Sequence, residues 1–297
     1  MRKKLKQKEG LLGYLFLTPS LLAFGVFMFY PMVYTIYLSF FDWNLIKPTK
    51  KFVGFSNYIE LFKNETSLVI LRNTCVYILI LLVFNLIMPY LLSFVLEFII
   101  QKGKNFYKAI YFLPSVISLV VGSILYTWLL NPVSGPVSYV LRKIGITMPI
   151  WSTTQGWVIA VLCVITSWKC FGYNFIVILA GISGVPKEVI ESARLDNISM
   201  GKIFRDMIIP MSSSTGIYVL IYCIVQGLQF VYTPIKVITQ GGPNYASSNL
   251  IYNSYHEAFT LFRTGMSSAC SVLTVLIFMV LLILEFRFVE RGVYYEN

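Results

Sequence analysis

Six apolar segments, each about as long as a bilayer is thick, constrain this 297-residue chain more than any other feature. A helix needs about 20 predominantly apolar residues to cross the hydrocarbon core of a membrane. The composition agrees with membrane insertion, because 57% of the residues are hydrophobic and only 12% are charged. The sequence therefore predicts an all-α membrane protein, a single domain over 1–297 with six transmembrane helices. We place the spans near 12–40, 70–100, 107–130, 156–181, 210–233 and 267–288.

Several function classes are disfavoured by the same sequence. The net charge of +11 does not indicate a nucleic-acid partner, because the basic residues flank apolar segments instead of clustering on a soluble face. The five cysteines lie in or beside apolar segments without CxxC or metal-ligand spacing, and the chain has one histidine. We therefore expect no disulfide framework and no metal site. The chain also lacks a GxxxxGK[ST] phosphate-binding loop, so we do not expect it to be an ATPase.

Basic residues near the ends of the apolar segments predict the orientation, since cytoplasmic loops carry an excess of Lys and Arg. One side carries fourteen basic residues and the other carries eight, leaving out Arg72 and Lys169 at or inside spans. The side with the excess includes both termini and the polar segment 184–210. We therefore expect both termini and this segment to lie in the cytoplasm.

The loops predicted to lie outside the cell are rich in aromatic residues. We interpret Trp43, Trp151 and Tyr252 as interfacial anchors, because tyrosine and tryptophan favour the boundary between membrane and water. The alternative is that these loops receive an external protein. Sequence periodicity does not decide between the two.

The segment 184–210, GVPKEVIESARLDNISMGKIFRDMIIP, interrupts the apolar spans with charge. Pro186 can open a helix there, and Gly201 is expected to end it, because glycine accepts the left-handed conformation at no steric cost. Ile190 and Ala193 would share one face of that helix. A helix with one apolar and one charged face suits docking to a soluble partner. A solvated loop that only joins two spans is the alternative.

Within this segment, the pattern Glu191-Ser-Ala193, Asp196-Asn197, Phe204 and Pro210 resembles the EAA loop of permease subunits in binding-protein-dependent ABC importers. Further strings are similar to the sugar-importer branch and occur in the same order: LFLTPSLLAFGVFMFYPMVYTIYLSFFDW, FVGFSNY, Asn73-Thr74, LPSVIS, LAGISGVP and TQGGP. The resemblance extends from about residue 12 to 290. On this basis the chain is identified as a member of the maltose-type branch, in the position of the first permease.

The chain departs from the family pattern at three positions. Asn197 stands where the family has glycine, Ile198 where it has alanine, and Ser214 where a second proline often occurs. Asparagine tolerates left-handed backbone geometry better than most residues. We therefore expect the tight turn after Asp196 to be retained.

The resemblance implies a type I ABC importer permease fold, with a cytoplasmic coupling helix, in a bacterial cell (inner) membrane. It also implies four partners: a second homologous permease subunit, a cytoplasmic ABC ATPase dimer, an extracytoplasmic solute-binding protein and a sugar substrate. No cofactor is expected in this chain, because ATP and Mg²⁺ would be bound by the ATPase. In such importers the coupling helix seats in a groove of the ATPase, and closure of the ATPase dimer moves the permease pair from inward-open to outward-open.

The resemblance assigns ATPase coupling to six residues: Glu191, Ala193, Asp196, Asn197, Gly201 and Pro210. Glu191 would make a charge-assisted contact with the ATPase, and Ala193 would allow close approach at its groove. Asp196 would hold the turn by accepting hydrogen bonds from backbone N–H groups. The alternative for Glu191 is an exposed pair with Arg194, worth only a few tenths of a kcal/mol.

Candidates for the substrate path are Ser115, Lys169, Gly172, Tyr173, Asn174, Phe175, Gln226 and Gln229. A charge at the bilayer centre costs about 2.5–3.5 kcal/mol, so Lys169 should face protein or water. A hydrogen bond to substrate is one interpretation of its position; the other, equally consistent, is a structural role, either a bond to a carbonyl or a side chain that snorkels outward. The string FGYNF has the aromatic, hydroxyl and amide groups that bind sugars, and the resemblance places it along the substrate cavity. Simple packing is the alternative.

The leading hypothesis is therefore a permease subunit of an ATP-driven carbohydrate importer. A permease for glycerol-phosphate-type or other small polar solutes is the first alternative. An ion-coupled secondary transporter would need carboxylates at the membrane centre, and the sequence has none there. A permease for anions such as phosphate would need paired basic residues, whereas only Lys169 is available. A membrane enzyme would need a nucleophile–base or metal constellation, which we do not find.

Overall fold

The computed structural model describes residues 16–100 and 102–288. Residues 12–15 of the first predicted span, the basic residues before them and Arg291 lie outside the described residues. Within the described part, five helices are long and apolar enough to cross a membrane, and a bent pair of helices makes a sixth candidate. The predicted all-α architecture is thus confirmed.

We number the helices in chain order. They are α1 (Phe16–Leu38), α2 (Ser56–Lys63), α3 (Glu65–Phe98), α4 (Lys104–Val116), α5 (Leu119–Leu129), α6 (Pro136–Lys143), α7 (Trp157–Ser183), α8 (Lys187–Leu195), α9 (Met200–Ile203), α10 (Ile209–Met211), α11 (Ser213–Thr239), α12 (Leu250–Phe259) and α13 (Thr264–Phe288). Two short antiparallel strands, β1 (Phe41–Asp42) and β2 (Lys51–Phe52), pair with Phe41 opposite Phe52.

Three turns of π-helix each end two residues before a proline. They are Gly25–Phe29 before Pro31, Val83–Ile87 before Pro89, and Phe204–Ile208 before Pro210. A proline has no N–H to donate, and its ring crowds the carbonyl four residues earlier. In the second turn, the N–H of Met88 bonds to the carbonyl of Val83, one residue further back than in an α-helix. The prolines, including Pro210 in α10, therefore explain these three departures from regular α-helix; a fourth π turn, Ile235–Thr239, instead follows Pro234.

The third predicted span, 107–130, is made of two helices and not one. α4 and α5 are bent by 100° relative to each other at a short break. Pro114 lies in the last turn of α4, and Ile117 after it has an extended backbone. Pro114 has no N–H to donate to the preceding turn, and the helix ends two residues after it, at Val116, so the break falls within the string LPSVIS.

The chain forms two compact units, so the prediction of one domain over 1–297 stays a prediction. Within the described residues, the first unit contains 16–62 and 254–273, and the second contains 63–253 and 274–288. In the first unit, the buried amide of Asn57 donates to the carbonyl oxygens of Ser39 and Phe41, at 2.8 and 3.1 Å. Arg263 and Glu60 form an ion pair at 2.6 Å.

In the second unit, α7 is the central helix and packs against α3, α4 and α11. Side chains of α3 also hold the loop that follows α11. The amide of Asn73 donates to the carbonyl oxygens of Tyr245 and Ala246, both at 3.0 Å, and the hydroxyl of Tyr77 donates to that of Ser247 at 2.8 Å. The hydroxyl of Ser247 in turn donates to the carbonyl of Gly242 at 2.6 Å, so Ser247 links α3 to the string TQGGP.

Two of the three predicted interfacial anchors are buried. Trp151 is 3% exposed, and its indole N–H donates to the carbonyl of Leu130 at 2.7 Å; Tyr252 is 4% exposed. The anchor interpretation is wrong for these two residues, because tertiary contacts cover them. Trp43 is partly exposed, and its indole donates to the carbonyl of Lys47.

Candidate coupling helix and translocation path

The predicted coupling helix is present as α8, but it ends earlier than expected. Its last residue is Leu195, and Asn197 follows with a left-handed backbone, φ 55°. Gly201, the predicted terminator, lies inside α9 with no heavy atom within 4 Å of a Cβ placed there. That prediction is wrong because Asn197 already supplies the left-handed residue that ends the helix.

The apolar face of α8 packs inside the chain. Ile190 and Ala193 are each 3% exposed and share a core cluster with Phe94 of α3, Ile182 of α7 and Ile203 of α9. Ala193 therefore faces this core and not an external groove, which corrects the predicted contact. Its small side chain lets α8 approach the membrane helices closely.

The opposite face of α8 is exposed and charged. Glu191 is exposed, and none of the ion pairs in the described part of the chain involves it. Arg194 instead points its guanidinium at the carbonyl of Phe98, at 3.4 Å. The alternative pairing of Glu191 with Arg194 is therefore not formed, and the carboxylate can bind a partner.

The turn after α8 is held by backbone bonds. The N–H of Asn197 donates to the carbonyl of Arg194, and the N–H of Ile198 donates to that of Ala193, both at 3.0 Å. Asp196 is exposed, and its carboxylate makes no hydrogen bond within residues 16–100 and 102–288. Its predicted role in holding the turn is not seen.

An open recess adjoins this turn and is lined by Phe98, Ile99, Arg194, Asn197, Ile198, Ser199 and Met200.

Lys169 caps the broken end of α4. Its ammonium donates to the carbonyl oxygens of Ser115 and Ile117, at 2.7 and 2.8 Å. The last carbonyls of a helix have no partner within the helix and carry partial negative charge, so a cation there is stabilising. Of the two interpretations of Lys169, the structure shows the structural one. The hydroxyl of Ser115 itself donates a hydrogen bond to the carbonyl of Phe112 in the same turn.

Two further path candidates are packing residues. A Cβ at Gly172 would overlap the carbonyl oxygen of Tyr111, so glycine permits the close approach of α4 and α7. Phe175 is fully buried, and its ring lies 4.9 Å from the ring of Tyr111. Neither residue lines an open path in this conformation.

Tyr173, by contrast, belongs to an exposed aromatic patch with two tyrosines of α11. Its hydroxyl lies 2.9 Å from that of Tyr218, and its ring lies 4.9 Å from that of Tyr222. Tyr218, Tyr222, Gln226 and Gln229 recur every three or four residues and share one face of α11. Gln229 is exposed and Gln226 is half-buried. Sequence reasoning missed both α11 tyrosines, although their spacing from the two glutamines was visible.

Comparison with known proteins identifies the family. Residues 102–293 match the family described as binding-protein-dependent transport system inner membrane component. The probable ABC transporter permease protein YurN of Bacillus subtilis is 30% identical over 96% of this chain and 98% of its own length. This chain belongs to that family of ABC transporter permeases.

The permease has other full-length relatives. It is 28% identical to the sn-glycerol-3-phosphate transport system permease protein UgpA of Agrobacterium fabrum, over 96% of this chain and 97% of that protein. It also superimposes, with a TM-score of 0.82 and 22% identity, on a chain of a bacterial alginate ABC transporter crystallised with an alginate pentasaccharide-bound periplasmic protein; the match covers 96% of both chains. The multi-pass permease fold is therefore shared, as the sequence predicted.

Sequence reasoning also missed a buried polar junction of this permease. The side-chain amide of Asn85, in the π turn of α3, donates to the hydroxyl of Ser167 at 2.9 Å. Its backbone carbonyl accepts from the side chains of Asn174 and Cys223, at 3.0 and 3.2 Å. Asn174, a predicted path residue, is thus only 1% exposed. The signal was an asparagine inside a long apolar run, where an amide must find partners.

Proposed function

We propose that this permease is the membrane-spanning subunit of an ATP-driven importer for uncharged carbohydrates and forms the path with a second, homologous permease. The proposed coupling to an ATPase is supported by the two faces of α8. Its apolar face is buried, while the carboxylate of Glu191 is exposed and outside any ion pair of the described residues. A surface helix of this kind can hold a charged contact to a soluble partner and transmit force inward.

The force would come from a cytoplasmic ABC ATPase dimer, a separate subunit that binds ATP and Mg²⁺. Ile190 and Ala193 seat α8 against α3, α7 and α9, so a push on α8 reaches the membrane helices through close-packed side chains. Asn197 and the backbone bonds of the turn keep α8 short and rigid. The recess beside this turn adds a second surface for the ATPase.

The substrate class follows from the exposed face shared by α7 and α11. Tyr173, Tyr218 and Tyr222 offer aromatic faces and hydroxyls, and Gln226 and Gln229 offer amides. None of these side chains is charged at neutral pH. Lys169 is engaged by two carbonyls and does not supply a cation to this face. An uncharged sugar matches such a surface, because its C–H faces stack on rings while its hydroxyls bond to amides.

A glycerol-phosphate-type solute is the second candidate. It is favoured by the 28% identity to a permease named for sn-glycerol-3-phosphate. A phosphate ester would need an available cation or helix N-terminus on the path. Uptake of a labelled panel of neutral sugars and sn-glycerol 3-phosphate, with and without this chain, decides between the two candidates.

The family description and the fold also support an extracytoplasmic solute-binding protein as the donor of substrate. We propose a bacterial cell membrane location with both termini in the cytoplasm, which places α8 on the ATPase side. The excess of basic residues on that side supports this orientation.

The coupling assignment is tested by reversing the charge of Glu191 in the complete transporter. We expect Glu191→Arg to reduce both ATPase co-purification and sugar uptake at least tenfold, which corresponds to about 1.4 kcal/mol or more. Glu65→Arg, which makes the same change at an exposed position in the first turn of α3, is the control; a cation at that helix N-terminus costs about 0.3–1 kcal/mol, too little to reduce ATPase co-purification or uptake tenfold. Normal ATPase binding and coupled uptake by Glu191→Arg would refute the assignment.

A further inference from the structure

An apolar cleft lies between α3 and α11. Its walls include Leu86, Ile87 and Tyr90 of α3 and Ser213, Ile217 and Leu220 of α11. Phe204 and Ile209, which lie between α9 and α11 in the chain, line it as well. Its volume is about 320 Å³, within the range of about 300–1,000 Å³ that is typical of ligand pockets. We call this space the apolar cleft.

The lining favours a hydrocarbon occupant. Among the lining side chains only Tyr90 and Ser213 carry a polar group, and the hydroxyl of Tyr90 already donates to the carbonyl of Ser212 at 3.2 Å. A water molecule needs several polar partners, so the cleft holds water poorly. An empty cleft would leave its walls without dispersion contacts on one side. An apolar chain needs no polar partner and restores those contacts.

The cleft opens on an apolar stripe of α3. Leu79, Val83, Ile87 and Leu91 recur every four residues and are between 42% and 64% exposed. Ile87 and Leu91 also line the cleft. Because α3 is long and apolar enough to span a membrane, a lipid tail can pass from the bilayer along this stripe into the cleft. A whole helix, about 10 Å across with its side chains, is too wide to fill a cleft of this volume.

A cation lies at the rim of the cleft. Arg205 follows Phe204 directly, and it lies four residues before Ile209, so Arg205 and Ile209 are neighbours on the helical surface. Arg205 is exposed, and no ion pair within residues 16–100 and 102–288 involves it. Asp206 is also exposed, but consecutive helical residues do not face each other. The rim therefore offers a positive charge to an anionic headgroup.

The headgroup matters because the apolar contacts alone select weakly inside a bilayer. Lipid tails are as apolar as the lining side chains, so a tail gains no hydrophobic free energy by leaving the bilayer for the cleft. A charge-assisted bond between a guanidinium and a phosphate adds both strength and selectivity. An anionic lipid, whose headgroup keeps a net negative charge, is attracted to such a cation more than a zwitterionic lipid is.

We propose that the apolar cleft binds one acyl chain of an anionic phospholipid, whose phosphate is held by Arg205. Leu86, Tyr90 and Phe204 of the cleft wall also pack against the core cluster that contains Ile190 and Ala193 of α8. The bound lipid therefore supports the seat of α8. Placing the lipid in the cytoplasmic leaflet, and linking it to coupling, rests on the proposed function, whereas the binding itself does not.

Photocrosslinking in the complete transporter tests the binding. The transporter is assembled in phosphatidylcholine nanodiscs with a trace of phosphatidylglycerol or phosphatidylcholine, each carrying the same diazirine-bearing acyl chain. After irradiation, peptides covering 86–91 and 209–220 are analysed by mass spectrometry. We expect about fivefold more labelling of these peptides by phosphatidylglycerol, since one cation favours the anionic headgroup by about that factor.

Two variants separate the headgroup from the tail. Arg205→Gln should lower phosphatidylglycerol labelling to the phosphatidylcholine level, whereas Arg287→Gln, at an exposed arginine of α13 outside the cleft, should not. Ile87→Trp blocks the mouth and should reduce labelling by both lipids. Ile124→Trp makes the same change at an exposed position of α5 outside the cleft and is its control.

Two outcomes would overturn the proposal. Equal labelling by both lipids that Arg205→Gln does not change would mean that only non-specific surrounding lipid was captured. A cleft that no lipid labels, but that crosslinks to the second permease, would have a protein occupant. If Arg205→Gln does not assemble, the comparison of the two lipids on the unaltered transporter still decides the question.

The link to coupling has a separate readout. Replacing phosphatidylglycerol by phosphatidylcholine in proteoliposomes should lower the ratio of sugar transported to ATP hydrolysed, and this lipid effect should be absent in Arg205→Gln. An equal ratio in both lipids for the unaltered transporter would overturn the support of α8 by the lipid. That result would leave the charge-reversal test at Glu191 unaffected, so failure of the inference and failure of the proposed function are distinguishable.

Discussion

Gly172 and Gly201 have the same side chain and opposite surroundings. At Gly172 a Cβ would lie 2.7 Å from the Cα of Phe112 and would also overlap the neighbouring carbonyl. At Gly201 a Cβ would meet no heavy atom within 4 Å. The first glycine is required by helix packing, whereas the second only loosens a helix by about 0.5–1 kcal/mol relative to alanine.

We therefore expect Gly172→Ala to lower the free energy of unfolding by about 1–3 kcal/mol, as overpacking typically does. Gly201→Ala should leave it unchanged or raise it by up to about 1 kcal/mol. Thermal unfolding of the purified permease in detergent measures both effects. Equal melting temperatures for the two variants would contradict the packing role of Gly172.

Lys169 offers a second prediction at the scale of a residue. Lys169→Met leaves the carbonyls of Ser115 and Ile117 without their donor, and we expect a loss of about 1–3 kcal/mol in stability. Lys169→Arg keeps the charge and should therefore lose less stability than Lys169→Met. If Lys169 bound substrate instead, Lys169→Met would raise the KM for uptake and leave the melting temperature unchanged.

At the scale of the element, the length of α8 is set by the residue that ends it. Asn197 has φ 55°, and a left-handed residue other than glycine costs about 1–2 kcal/mol, with asparagine the best tolerated. Glycine at this position matches the family pattern that the sequence resembles. The stop of α8 is therefore set by one backbone conformation and not by the glycine four residues later.

We expect Asn197→Gly to preserve both stability and the ratio of sugar transported to ATP hydrolysed. Asn197→Val, with a branched side chain that disfavours φ > 0, should lower that ratio because α8 loses its fixed end. ATPase and uptake assays on the same proteoliposomes give the ratio. An unchanged ratio of sugar transported to ATP hydrolysed in Asn197→Val would show that the turn is not needed for α8 to transmit force.

At the scale of the whole molecule, the orientation in the membrane links all the proposals. Leu195 is 84% exposed at the end of α8, and Ile146 is 51% exposed in the loop after α6. The distribution of basic residues predicts that the first lies inside and the second outside the cell, as we propose. These two exposed positions can be probed without disturbing the core.

Cys75 is exposed whereas the other four cysteines are buried, so it is first replaced by serine. In this background we expect Ile146→Cys to react with a membrane-impermeant maleimide in intact cells. Leu195→Cys should react only after the cells are permeabilised. The reverse pattern would invert the topology and separate α8 from a cytoplasmic ATPase. Labelling is read on the purified chain, and uptake confirms that each variant is assembled.

The sequence by itself determined the features that depend on neighbouring residues. Apolar length predicted the spans, and the pattern around Glu191 predicted a short helix with an exposed carboxylate. Three turns of π-helix precede Pro31, Pro89 and Pro210, although our sequence analysis did not predict these departures from regular geometry. These features are local because the hydrophobic period and proline stereochemistry act within a few residues.

Only the tertiary structure decided which side chains meet across long stretches of chain. Lys169 bonds to a carbonyl 54 residues away, and Asn73 to carbonyls more than 170 residues away. Ala193 faces inward because α3, α7 and α9 converge on it. A buried polar group takes whichever partner the packing brings near, so spacing in the chain identifies the group but not its bond.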